Sequence, residues 1–142
     1  MSSVKRVQKV DLGSIAKKLE GKKLRVGFFA GATEADGTPV AQVALWNEYG
    51  TATSPPRAFM RNTIKEKSKG WGKSAAELLK GNDSGVALGL MGDGIAGQVK
   101  ETIENFTDPP NAESTVKRKG FNSPLRDTLT MRDSVGSEVV DD

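Results

Sequence analysis

From Ser84 to Phe106 the residues Leu88, Met91, Ile95, Val99, Ile103 and Phe106 step by three or four. That spacing fits one face of an α-helix and no β-strand. Such a helix is roughly 35 Å long, about the width of a small domain, so the other elements must be laid out along it. Five glycines (Gly85, Gly89, Gly92, Gly94, Gly97) fall in its first two-thirds. Each weakens a helix, which predicts close backbone packing against another element as the compensation. Asp108-Pro109-Pro110 stops the run.

The rest of the chain is read around this element. Residues 1–10 form a flexible basic arm. Asp11 can cap a short helix in which Leu12, Ile15, Ala16 and Leu19 share a face, with Gly21 at its end. Leu24 to Ala30 alternates as a strand, with Leu24, Val26, Phe28 and Ala30 on one side. Asp36-Gly37 marks a turn, Thr38 caps a second helix, Pro39 takes its first position and Gly50 ends it. A third helix is expected from Arg57 to Lys80, weakened in the middle by Gly70 and Gly72. After the long helix, Asn111 can cap a short helix through Lys119, Thr128–Ser134 can make a turn or two, and Val135–Val140 can be a terminal strand. The expected architecture is one α+β domain at residues 11–142, a small antiparallel sheet packed with several helices, one of them long.

With 142 residues, 36% of them apolar, the chain can bury a core without staples. It has no Cys and no His, which removes disulfides, Cys nucleophiles, His bases and Cys/His metal sites together. No enzymatic activity, metal or cofactor is expected. No segment has the ~18 consecutive apolar residues of a membrane span, and Met1–Val10 lacks the apolar stretch of a secretory signal. The expectation is a soluble chain with no membrane partner that stays in the compartment where it is made.

Net charge is +3, unevenly spread. Residues 1–25 carry eight basic groups against Asp11 and Glu20, and the remainder carries thirteen against sixteen acids. A basic stretch on a mildly acidic body suggests contact with something negative, so a nucleic-acid-binding module using that stretch is the alternative reading.

The catalytic motifs fail on context. Gly92-Asp93-Gly94-Ile95-Ala96-Gly97 spells a dinucleotide fingerprint, but its periodicity makes it helix interior where a strand-to-helix loop is required. Gly72-Lys73-Ser74 resembles the end of a phosphate loop whose opening glycine would fall at Lys67. Asn82-Asp83-Ser84 and Asn105-Phe106-Thr107 match the glycosylation pattern without a signal to deliver them. Glu101 and Glu104, at i and i+3, have no companion group that would make them an acid–base pair.

More informative is the run Trp46-Asn47-Glu48-Tyr49-Gly50-Thr51, followed by Pro55-Pro56-Arg57-Ala58-Phe59-Met60-Arg61. Trp, Tyr and Arg are the usual anchors of protein interfaces, and a diproline holds an extended segment ready at little entropic cost. Trp46, Tyr49, Pro55, Pro56, Arg57, Phe59 and Arg61 are therefore candidate interface residues, with Arg57 and Arg61 placed to pair with a neighbour's carboxylates. A competing expectation puts Trp46 in the core beside Phe28, Ile95 and Val99, and Phe59 in the core as well.

At these residues the chain resembles the minor tail protein Z-like and tail-completion (neck) proteins of long-tailed bacteriophages. The resemblance begins at Val26-Gly27-Phe28-Phe29 and Asp36-Gly37-Thr38-Pro39-Val40-Ala41 and continues through the two motifs above. It returns at Pro109-Pro110-Asn111-Ala112, Thr115, Lys119-Gly120, Pro124-Leu125, Asp127-Thr128, Met131 and Ser134-Val135. It covers roughly residues 24–136 in order, and departs where the family has Gly after the Asp-Thr pair and this chain has Leu129. It implies a tail-component-like domain and a virion structural protein that completes the tail and joins it to the head. Implied with it are host-cytoplasmic synthesis, a homo-oligomeric ring (a hexamer), tail-tube and head–tail connector partners, and DNA nearby without sequence-specific binding. Asp127 and Met131 join the candidate interface on this ground. Unlike charges at Glu138, Asp141 and Asp142 and on the N-terminal stretch suggest head-to-tail contacts in the ring.

Overall fold

The computed structural model describes residues 17, 19, 21–106 and 129–141. The arm at 1–10, most of the first expected helix, the expected helix from Asn111 to Lys119, and Asp127 lie outside the described residues.

The chain order is β1 (Lys22–Phe28), α1 (Val40–Tyr49), α2 (Phe59–Lys67), a 3₁₀ turn (Ser68–Gly70), α3 (Trp71–Leu79), α4 (Ser84–Glu104), α5 (Leu129–Asp133) and β2 (Val135–Asp141). β1 and β2 pair antiparallel from Lys22↔Asp141 to Phe28↔Val135, so strands near the two ends of the described chain form the sheet. The fold is α+β with a small antiparallel sheet and one 21-residue helix. Alternation located β1, where Leu24 and Val26 are more buried than Lys23 and Arg25; β2 does not alternate, its exposed residues being Glu138 and Asp141.

α4 is the spine. Asp83 caps it, its side chain accepting the Val86 N–H at 2.9 Å. Its buried residues Leu88, Gly92, Ile95, Ala96, Val99 and Ile103 run along one face. The core joins Val99, Ile103 and Phe106 to Val40 and Ala44 of α1, Phe59 of α2, Met131 of α5 and Val135 of β2. Apolar burial of this kind is the main favourable term holding the elements together.

Only one of the five helix glycines serves the close approach expected of all. A Cβ on Gly92 would lie 2.7 Å from Leu24 Cδ1 and 2.8 Å from Ser137 Cβ, so this glycine lets both strands sit down on the helix. Gly89, Gly94 and Gly97 have nothing within 4 Å of an added Cβ, and Gly85 meets only ordinary contacts. Replacing Gly92 with Ala should therefore cost about 1–3 kcal/mol through overpacking, despite alanine's better helix propensity. Gly97→Ala, with open space, should be neutral or stabilising by up to about 1 kcal/mol. Thermal melts of the two variants check this, and equal melting temperatures would refute the packing role of Gly92.

Several elements differ from expectation. The third helix is broken into α2, the 3₁₀ turn and α3, although every junction residue keeps right-handed helical dihedrals. The break falls at Gly70, where helix propensity is lowest. α1 begins at Val40, with Pro39 at the cap position and no side-chain cap. The Thr38 N–H instead donates to Asp36 Oδ1 at 2.9 Å, and that bond holds the Asp36 carboxyl below the usual range. A depressed pKa makes this contribution to the turn complete at neutral pH and lost on acidification through the folded-state value. Ala30 lies beyond β1 and is exposed. Trp46 is not in the core, as described next.

Candidate assembly interface

The sequence of α1 is VAQVALWNEY, in which Glu48 is the one charged residue. An ordinary surface helix turns its charge outward and its apolar stripe inward. α1 does the reverse at its C-terminal half. Glu48 is buried, while Leu45, Trp46 and Tyr49 are 51%, 46% and 61% exposed. Ala41, also exposed, lies one turn before Leu45, so the outer face is largely apolar, with the half-buried Gln42 one turn before Trp46.

Glu48 is buried because it has a task there. Its carboxylate accepts the backbone N–H groups of Met60 at 2.8 Å and Arg61 at 3.1 Å, which are first-turn donors of α2 without helical partners. It also accepts Arg61 Nε at 2.8 Å, and its carbonyl accepts Arg61 Nη2 at 2.6 Å. A carboxylate on one helix thus caps the positive end of the next. Arg61 then lies with its guanidinium 4.6 Å from the Tyr49 ring centroid, a cation–π contact that fixes the ring's orientation on the surface.

The segment between the two helices is ordered by backbone bonds. Gly50 donates to Trp46 O at 2.8 Å, Thr51 N to Ser54 O at 2.9 Å, and Arg57 N to Asn47 O at 2.6 Å. Gly50 has φ +78°, and a Cβ there would lie 2.8 Å from Pro56 N and 2.9 Å from Ser54 O. Only glycine permits this turn. Pro55 and Pro56 are exposed, and Trp46, Pro55 and Arg57 line a shallow pocket of about 280 Å³ with Val43 and Asn47. Partial burial lowers the Arg57 pKa from its ordinary value, but a guanidinium remains a cation.

The candidate residues therefore separate. Trp46, Tyr49, Pro55, Pro56 and Arg57 gather at the C-terminal end of α1 and the loop after it, with Arg61 against Tyr49. Phe59 and Met131 are 1% and 3% exposed and belong to the core of the single chain, so neither is available to a neighbour. Phe59 sits there because it opens α2 on the side facing α4, and Met131 because the one short turn of α5 leans on the same core. Arg61 is committed to Glu48 in its own chain, which corrects the expectation that it reaches a neighbour's acid. Leu45 and Glu48 were not singled out by sequence. The signal for Glu48 was a lone carboxylate in an otherwise uncharged helix, and for Leu45 its i, i+4 relation to Tyr49.

The other chemical motifs are structural. Gly92–Gly97 is helix interior, and Lys73 and Ser74 sit in the first turns of α3 after a 3₁₀ turn. Glu104 pairs with Arg132, whose pKa is raised by the hydrogen bonds it donates to Asp133 and Glu104, while Glu101 is exposed. Among the described residues no group of three or more acids could hold a metal ion, and no helix is long and apolar enough to cross a membrane. Comparisons with family models, curated proteins and solved structures find no match to this chain.

Proposed function

We propose that this chain is a structural virion protein of a long-tailed bacteriophage, completing the tail and joining it to the head at the neck through assembly interfaces. The observation that carries the assembly reading is α1, whose only charge points inward and whose Leu45, Trp46 and Tyr49 point out. Exposed aromatics beside a rigid diproline and arginines have the composition of an interface centre. The phage assignment is supported by the ordered motif series from Val26 to Val135. In this reading the protein is made in the host cytoplasm and forms a six-membered ring that contacts the tail tube and the head–tail connector.

Part of the opposite charge invoked for the ring is paired within one chain. Lys22 pairs with Asp141 at 3.3 Å and Arg25 with Glu138 at 3.4 Å across the sheet of one chain. These four groups are paired within one chain, and the α1 patch offers a further surface for head-to-tail contacts between copies.

Replacing Trp46 and Tyr49 together with Ser should leave the chain folded, at a total cost of about 1–3 kcal/mol from the half-buried indole and the Arg61 contact, yet abolish incorporation into tails. Complementation of a deletion phage, read by the content of this protein in purified particles, checks it. Normal incorporation would overturn the assembly role of this face. Imaging of the particle tests the location separately: a copy on the axis or at the distal tip excludes a neck ring.

A further inference from the structure

Sequence placed basic character at residues 1–25, most of which lie outside the described residues; the structure shows a second basic region. Lys22 and Arg25 are paired with acids of β2, and Arg61 is tied to Glu48. Lys80 has Glu77 at 3.3 Å. Lys65, Lys67, Lys69 and Lys73, by contrast, are all exposed, and their side chains make no ion pair or hydrogen bond among the described residues. They lie along the rod of α2, the 3₁₀ turn and α3, where residues 59–79 hold these four lysines and Arg61 against Glu66 and Glu77, the latter paired with Lys80.

We propose that this rod is a sequence-independent docking surface for the phosphate backbone of duplex DNA. Lys65 to Lys73 spans roughly 12 Å of helix, and a duplex presents one negative charge about every 1.7 Å of its axis. Unpaired lysines facing that density release condensed counterions on binding, which is the source of non-specific affinity. Asn62 and Ser74, both exposed, and the half-buried Ser68 are interspersed with the lysines and supply the neutral donors that accompany phosphate contacts.

The same residues disfavour other polyanions. Lysine is depleted at protein–protein interfaces, and the rod carries none of the exposed aromatics that mark α1. Single strands are held by stacking on aromatic rings. Trp71, the one aromatic beside the lysines, is half-buried with its indole N–H donated to Gln98 Oε1 at 2.8 Å. Glu66 and Glu101 share a shallow pocket with Lys67, so Lys67 contributes least of the four. The inference stands apart from the assembly reading, since it uses no residue of α1 and is tested without particles.

The test is fluorescence anisotropy of a short random-sequence duplex titrated with the full chain. With three to four phosphate contacts, affinity should fall roughly 40- to 150-fold between about 50 and 200 mM salt. The variant Lys65→Gln, Lys67→Gln, Lys69→Gln, Lys73→Gln should melt like wild type, lose most of the affinity at low salt and flatten the log–log salt slope by about 3 to 4. The variant Lys5→Gln, Lys9→Gln, Lys17→Gln, Lys18→Gln should retain the larger share of binding. Absence of binding at low salt, an unchanged slope in the first variant, or loss confined to the second would each overturn the proposal. Equal competition by polyglutamate, which offers charge without a duplex, would overturn the assignment to DNA.

Discussion

Truncating Phe59 to alanine is expected to cost about 4 kcal/mol, within the usual range for a buried aromatic. The ring is 1% exposed and meets the Phe28 ring edge to face, with centroids 5.9 Å apart and planes at 88°. It stands where α2, β1 and the long helix meet, so its loss removes apolar burial and leaves a cavity that three elements cannot all close. Thr63, one turn later and fully buried, limits that collapse, because its hydroxyl donates to Phe59 O at 2.8 Å and lies 2.7 Å from Thr102 Oγ1. Phe59→Leu should keep most of the burial and lose about 1 kcal/mol, the order of the aromatic edge contact. Urea melts at constant m-value measure both. A cost below about 1 kcal/mol for the alanine variant would mean that Phe59 is peripheral and open to a partner after all.

Glu48→Ala should cost about 3 kcal/mol, near the lower end of what breaking a buried charged network costs, because Arg61 is half exposed and can turn to water. The larger part comes from the N–H groups of Met60 and Arg61, which lose their acceptor at the start of α2. Arg61→Ala leaves that cap in place and should cost no more than about 1 kcal/mol. The ordering separates two accounts of the cluster. If the guanidinium–carboxylate pair were the source of stability, the two variants would be equally damaging and added salt would weaken wild type toward both. A denaturant series at low and high salt decides between them.

Glu48 also shows why the interface was only half legible. Sequence marked Trp46 and Tyr49 as large aromatics on a well-punctuated helix, and two expectations followed, core or surface. Periodicity could not choose, because α1 is apolar on both faces and so has no preferred side. The choice is made by the carboxylate. Once Glu48 must face the N-terminus of α2, rotation about the helix axis is fixed, and Trp46 and Tyr49 are turned outward with Leu45. Arg61 follows the same logic, since its partner proved to be thirteen residues back in its own chain.

The sequence by itself determined the elements whose signal is local. The three- and four-residue stepping from Leu88 to Phe106 specifies the long helix, Gly50 marks the end of α1, and alternation from Leu24 to Phe28 specifies a strand. These follow from backbone geometry and from side chains within one or two turns, so a linear reading suffices. Only the tertiary structure decided which of five glycines meets a neighbour, which arginine stays at home, and where uncompensated charge remains. Gly92 is special because Leu24 and Ser137, distant in sequence, arrive above it. Lys22 and Arg25 are neutralised because the register sets Asp141 and Glu138 opposite them, and among the described residues no such partner reaches Lys65 to Lys73. Packing and electrostatics act through space at a few ångströms, while sequence spacing constrains such distances only within one element.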